Sequence, residues 1–258
     1  NIFSRSISSQ EPLFRPFFEN VIVAPTEAQI NANGYTFAAW IYIDDLTTSF
    51  QIFSLGVSGT NNYYGIQMLV NRNAAFVFHF FGLNGSTPGS GSNNRLTKGA
   101  VNGTISTGVW QHVAFVIPTN SYDVVANWKI YIDGSEYTGS TFNSGNSNVN
   151  LAYSGNSNIG VWTRSGSSLS NIFDGEINNA AIFNKALNSS NMAAIYNSGT
   201  PLDLSSNSGN YTESASLEAW WRFNEGTGTS YTDSSGNGYT CLLYTSDAAD
   251  DSLRVDLG

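Results

Sequence analysis

The stretch YTFAAWIYID, Tyr35 to Asp44, constrains the fold more than any other part of the chain. In an extended backbone successive side chains point to opposite faces. Phe37, Ala39, Ile41 and Ile43 then share one face, and Ala38, Trp40 and Tyr42 the other. Both faces are apolar, so the strand is central, covered on both sides or presenting aromatics to a ligand. Similar runs follow. FQIFSLG and YYGIQMLV are divided by the turn-rich VSGTNN. AAFVFHFFG sets Phe76, Phe78 and Phe80 against Val77, His79 and Phe81, and GVWQHVAFVIP alternates Trp110, His112, Ala114 and Val116 with Gln111, Val113, Phe115 and Ile117. NWKIYIDG ends in Asp133-Gly134, a pair favoured in tight hairpins because both residues tolerate positive φ.

Charged residues make up only 11% of the 258, against roughly 25% in an average soluble domain. Asn, Ser, Gly and Thr supply the polarity, which suits short strands joined by polar loops. The credible helix is NSSNMAAIYNSG, with Asn188 or Ser189 as its cap, Gly199 as its left-handed terminator, and Met192, Ile195 and Tyr196 as its docking stripe. The pattern predicts an all-β protein, an antiparallel two-sheet sandwich or jelly roll with one short helix near the C-terminal end of the module.

A net charge of −9 argues against nucleic acid, whose phosphates call for a basic surface, and against an anionic membrane surface. No run is long and apolar enough to span a bilayer. The single cysteine, Cys241, rules out an intramolecular disulfide, so the redox compartment stays open. The opening NIFSRSISSQEP reads as mid-protein, and the chain is expected to be a fragment.

Five segments in order resemble the laminin-G-like branch of the concanavalin A-like jelly rolls: YTFAAWIYI, GVWQHVAFV, WKIYIDG, NIGV and FDGEINNAAIFNKALNSSNMAAIYNSG. The resemblance covers Tyr35 to Gly199, and pentraxins share its last part. It implies a module at residues 1–200 and a linker at 201–216. Residues 217–240, LEAWWRFNEGTGTSYTDSSGNGYT, resemble the opening of the same module, as either the start of a second copy or a strand closing the first. The run CLLYTSDAADD resembles the translation of a sequencing-library adapter, so residues 241–258 are expected to be an artefact of an assembled environmental read and are set aside.

Asp174 and Glu176 are spaced as a strand would project two carboxylates from one face, as catalytic pairs are in many polysaccharide-cutting sandwiches. The related glucanases use Glu-x-Asp-x-Glu on one strand. Here the register reads Asp174-Gly175-Glu176-Ile177-Asn178, with an amide in the third place. In laminin-G-like modules this segment is structural, and the expectation is a domain that is not an enzyme. The resemblance also raises calcium, which takes six to eight oxygens, with Asp174 as the candidate ligand. The loop that carries the acidic ligands in pentraxins, VWTRSGSSLSN here, holds no carboxylate. His112 lies in a W-x-H-V-A signature that implies a packed ring with hydrogen-bonded nitrogens, and Trp40 and Trp110 read as core.

Sugar rings stack on exposed aromatics, which makes Tyr63, Tyr64 and Trp162, with Arg164, the candidate ligand-binding residues. The expected function is non-catalytic recognition on an extracellular, cell-surface or virion surface, with a glycan as partner. The competing class is an adhesion spacer binding cell-surface or virion proteins, and a third is a glycoside hydrolase or lyase.

Overall fold

The computed structural model describes residues 17–19, 25–56, 65–84, 87–88, 95–145, 149–151, 157–164, 168–225 and 230–244. Within them the chain runs β1 (Phe17–Glu19), α1 (Glu27–Asn33), β2 (Tyr35–Ile43), β3 (Phe50–Leu55), β4 (Gly65–Val70), β5 (Phe76–Asn84), β6 (Thr87–Pro88) and β7 (Arg95–Ala100). There follow β8 (Trp110–Ile117), β9 (Lys129–Ile132), β10 (Ser135–Glu136), β11 (Thr141–Gly145), β12 (Val149–Leu151), β13 (Asn158–Ile159), β14 (Trp162–Arg164) and β15 (Ser168–Ser170). The last elements are β16 (Gly175–Phe183), α2 (Ser189–Tyr196), β17 (Leu217–Trp221), β18 (Ser230–Tyr231) and β19 (Cys241–Tyr244).

Two antiparallel sheets form the sandwich. One has six strands in the order β10-β9-β8-β2-β16-β17; the other runs β11-β7-β5-β4-β3-β13, with β6 and β12 also paired to β5. The expected β2 face of Phe37, Ala39, Ile41 and Ile43 lies in the core, with Phe50, Phe53, Met68, Phe78 and Phe80 of the larger sheet in the same cluster. Phe115 of β8 meets Phe76 and Phe78 of β5 at ring-centroid distances of 4.7 and 4.9 Å, holding the layers together by tilted aromatic contacts.

The second apolar face of β2 is covered by the chain itself. Ala38, Ala114 and Ala181 meet Met192 and Ile195 of α2, together with Leu204, Tyr211 and Trp220, in a separate buried cluster. Trp40 is core, as expected, and stacks on Tyr196 at 5.5 Å. Asn188 caps α2 by accepting the Asn191 N–H at 2.9 Å. The helix ends at Asn197, whose φ of 46° is left-handed, and not at the expected Gly199. Asn reaches that conformation at small cost, so it closes the helix two residues earlier. A second helix, α1, adds to the one expected from the sequence. Its capping box is legible there: Thr26 and Gln29 satisfy each other's backbone N–H groups.

Asp133 and Gly134, with φ of 50° and 73°, form the two-residue turn between β9 and β10, as expected. β17 extends the six-stranded sheet by pairing with β16. β19 pairs with β1 and β18, and Cys241 is buried in the main core. Asp233 organises the turn after β18: its carboxylate accepts the N–H groups of Trp220, Ser235 and Tyr239 and the Ser235 hydroxyl. No described helix is long and apolar enough to cross a membrane.

One buried hydroxyl ties β2 to the approach of α2. Thr36 Oγ1 donates to the Lys185 carbonyl at 2.8 Å and accepts the Leu187 N–H at 3.0 Å. Thr36→Val keeps the shape and strips both bonds, leaving a buried donor and acceptor unpaired. A loss of about 2 kcal/mol is expected, read as a lower urea midpoint at unchanged m-value.

Candidate functional site: a polar row across the larger sheet

The inward residues of β3, β4, β5 and β7 fill the core, so their alternates face away from it. Asn158, Ser54, Gln67, His79 and Thr97 stand directly opposite one another across β13, β3, β4, β5 and β7. They make one in-register polar row on the outer face. Ser54, Gln67, Thr97 and Asn158 are all at most 3% exposed. The His79 Nδ1 lies 2.8 Å from Thr97 Oγ1. Ser54 Oγ and Gln67 Nε2 are buried without a hydrogen-bond partner, as is Oε1 of nearby Gln51. Each such atom costs about 1–3 kcal/mol, and in native proteins it calls for a reason, such as strain, a functional role, or an ordered water or ion.

Charge on this sheet is one-sided. None of its eight strands contains Asp or Glu. Burial, and secondarily Arg95, push the His79 pKa down to about 3, so the ring is neutral at physiological pH. Arg95 shares the face of Thr97 and His79, opposite Phe81. Burial lowers its pKa as well. The two ion pairs among the described residues, Lys129–Glu136 and Lys185–Glu213, do not involve it.

The carboxylates singled out in the sequence lie on the other sheet. Glu176 pairs opposite Tyr42, whose ring sits 5.8 Å from that of Trp110. Trp110 is half-buried there, not core as expected, because it lies at the end of β8 where α2 no longer covers the sheet. Burial and the Asp44 charge raise the Glu176 pKa. Asp174 precedes the strand and, like Glu176, is half-buried, the two alternating with buried Phe173, Gly175 and Ile177, so the expected spacing of the pair is kept; Gly175 adopts a φ of 138°. The Asp174 carbonyl accepts the Asp44 N–H at 3.2 Å. Among the described residues no group of three or more His, Cys, Asp or Glu is arranged to hold a metal.

Trp162 opens β14 and is half-buried; Arg164 ends that strand, its side chain outside the described residues. Tyr63 and Tyr64 also lie outside the described residues. His112 packs against Trp40 at 5.4 Å, as expected, but its Nδ1 has no hydrogen-bond partner, contrary to expectation, because the ring is enclosed by aromatics. At the sandwich edge a groove of about 560 Å³ is lined by Trp128, Tyr137, Glu136 and Lys98, whose amine already donates to the Ala126 carbonyl at 3.0 Å. The polar row itself is not among the sites expected from the sequence. Its signal is partly present there: Gln67 and His79 each interrupt an otherwise largely apolar strand run.

An antiparallel double-sheet sandwich of this kind is a jelly-roll architecture. The chain belongs to the concanavalin A-like lectin/glucanases superfamily, whose family model matches residues 19–193. It is similar to the native heptameric SAP-like pentraxin of Limulus polyphemus, at 14% identity and a TM-score of 0.50, covering 95% of this chain and 96% of that one. A Ruminococcus gnavus IT-sialidase CBM40 bound to α2,3 sialyllactose aligns at 12% identity and a TM-score of 0.49, over 74% of this chain and all (100%) of that one. A Bacteroides ovatus protein described as carbohydrate-binding aligns at 16% identity and a TM-score of 0.45; the alignment covers 91% of this chain and 61% of the Bacteroides one. No curated protein matches the chain in sequence.

Proposed function

We propose that this chain is a non-catalytic glycan-recognition domain acting at an extracellular, cell or virion surface. The observation that carries the reading is the pair of unpartnered buried groups, Ser54 Oγ and Gln67 Nε2, within an in-register polar row. Ser54 and Gln67 are closed to solvent in this structure, so a sugar reaches them only when the row opens; its hydroxyls, which both donate and accept, then satisfy the amide and the hydroxyl together. Membership of a family of lectins and glucanases supports the ligand class. Between those two branches, the strands favour the lectin. Hydrolysis needs two carboxyls flanking the glycosidic bond, and the strands under the row supply none. Tyr63, Tyr64, Trp162 and Arg164 are proposed as rim contacts.

Gln67→Leu tests this directly. The substitution removes an unpaired buried amide, so the melting temperature is expected to hold or rise, while binding on a glycan array falls at least tenfold. A structural glutamine gives the opposite pattern, with lost stability and intact binding, and that result overturns the reading. An array that captures no glycan while cell-surface proteins bind favours the adhesion-spacer class. Calcium with Asp174 as a ligand is a separate proposal; a chelator arm of the same array decides it.

A further inference from the structure

We infer that the edge of the polar row, where His79 and Arg95 remain partly exposed, recognises a sugar bearing a carboxylate, with Arg95 as the group that holds the acid. This rests on the glycan-binding reading above and adds the ligand's charge. Arg95 stands at the edge of the row, on the same face as Thr97 and diagonal to His79 across the β5–β7 pair. It is half-buried, and none of the ion pairs among the described residues uses it. A guanidinium withdrawn from water without a counter-charge is unfavourable until an anion arrives.

The surroundings are arranged for that anion. No strand of the sheet carries an Asp or Glu to compete for the guanidinium or repel a ligand, in a chain whose overall charge is −9. Lys98, the other cation on these strands, faces the opposite side and is held by the Ala126 carbonyl. The groups beside Arg95, Thr97 and His79, are neutral hydrogen-bonding partners suited to ring hydroxyls. Arginine presents a planar fork that takes a carboxylate through two parallel hydrogen bonds, a match that lysine lacks.

The test uses isothermal titration of the whole chain with matched oligosaccharides: an acidic one ending in a uronic or nonulosonic acid, the same sugar with its carboxyl reduced to the alcohol, and a sulfated analogue. The acid is expected to bind at least tenfold more tightly than its reduced form. Arg95→Gln is expected to bring the two within about twofold, chiefly by weakening the acid, and Arg95→Lys to restore only part of the preference. Equal binding of acid and reduced forms, or equal binding of the sulfated analogue, overturns the carboxylate inference and leaves the glycan reading standing. A preference that survives Arg95→Gln overturns the role of Arg95. Failure of every sugar to bind removes both.

Discussion

Gly175→Ala is expected to destabilise the domain by about 3–5 kcal/mol, the sum of a strained backbone and an overpacked contact. Gly175 has a φ of 138°, and a Cβ added there falls 2.0 Å from the Tyr42 carbonyl oxygen, backbone of the neighbouring strand. Nothing flexible stands in the way, so relief requires prising β16 from β2 where the two are hydrogen-bonded. For a chain of this size that is a fall of roughly 6–20 °C in melting temperature. Gly236→Ala is the control. Gly236 also has positive φ, 91°, yet a Cβ added there meets nothing within 4 Å, so only the backbone strain of about 1 kcal/mol remains. Equal melting temperatures for the two variants would refute the steric argument.

Acid is expected to weaken the fold through His112. The ring is buried, packed on Trp40 and near Tyr196, with Nδ1 unpaired, and desolvation lowers its pKa to about 4. An unfolded chain takes up the proton near 6.5. Between those values the unfolded state binds a proton that the folded state refuses. Stability from this group is therefore complete above about pH 6.5 and drains as pH falls toward 4. The shift is worth about 3 kcal/mol. Urea midpoints measured from pH 7 to pH 4.5 should fall, and His112→Phe should flatten the slope while holding or raising stability at pH 7. His79, with its pKa pushed down to about 3, keeps a residual slope of the same sign in that variant. An unchanged slope in His112→Phe would remove His112 as the source.

The sandwich is readable in the sequence because alternation is a strong, local signal. Phe76, Phe78 and Phe80 on one face of β5 lie in the core, and the doubly apolar β2 has both faces covered. The short helix is readable from its cap at Asn188. Its exact end is not, because Asn and Gly both tolerate left-handed backbone and the choice between Asn197 and Gly199 depends on how the helix docks. The site is harder to see. Ser54, Gln67, His79, Thr97 and Asn158 are scattered over more than a hundred positions, and only strand register brings them side by side. Each alone reads as a stray polar residue. The carboxylate pair is legible as spacing alone: Asp174 and Glu176 alternate with buried Phe173, Gly175 and Ile177, and an amide, Asn178, stands where a third carboxylate would.

The pleat of β3 and β4 has a consequence for how such a domain diversifies. Phe53, Leu55, Ile66 and Met68 point one way and hold the molecule together, while Ser54 and Gln67, their immediate neighbours in the chain, point the other way. On the proposed reading, a substitution at an outward step retunes specificity while the inward steps preserve foldedness. One scaffold can thus drift among ligands without passing through an unstable intermediate.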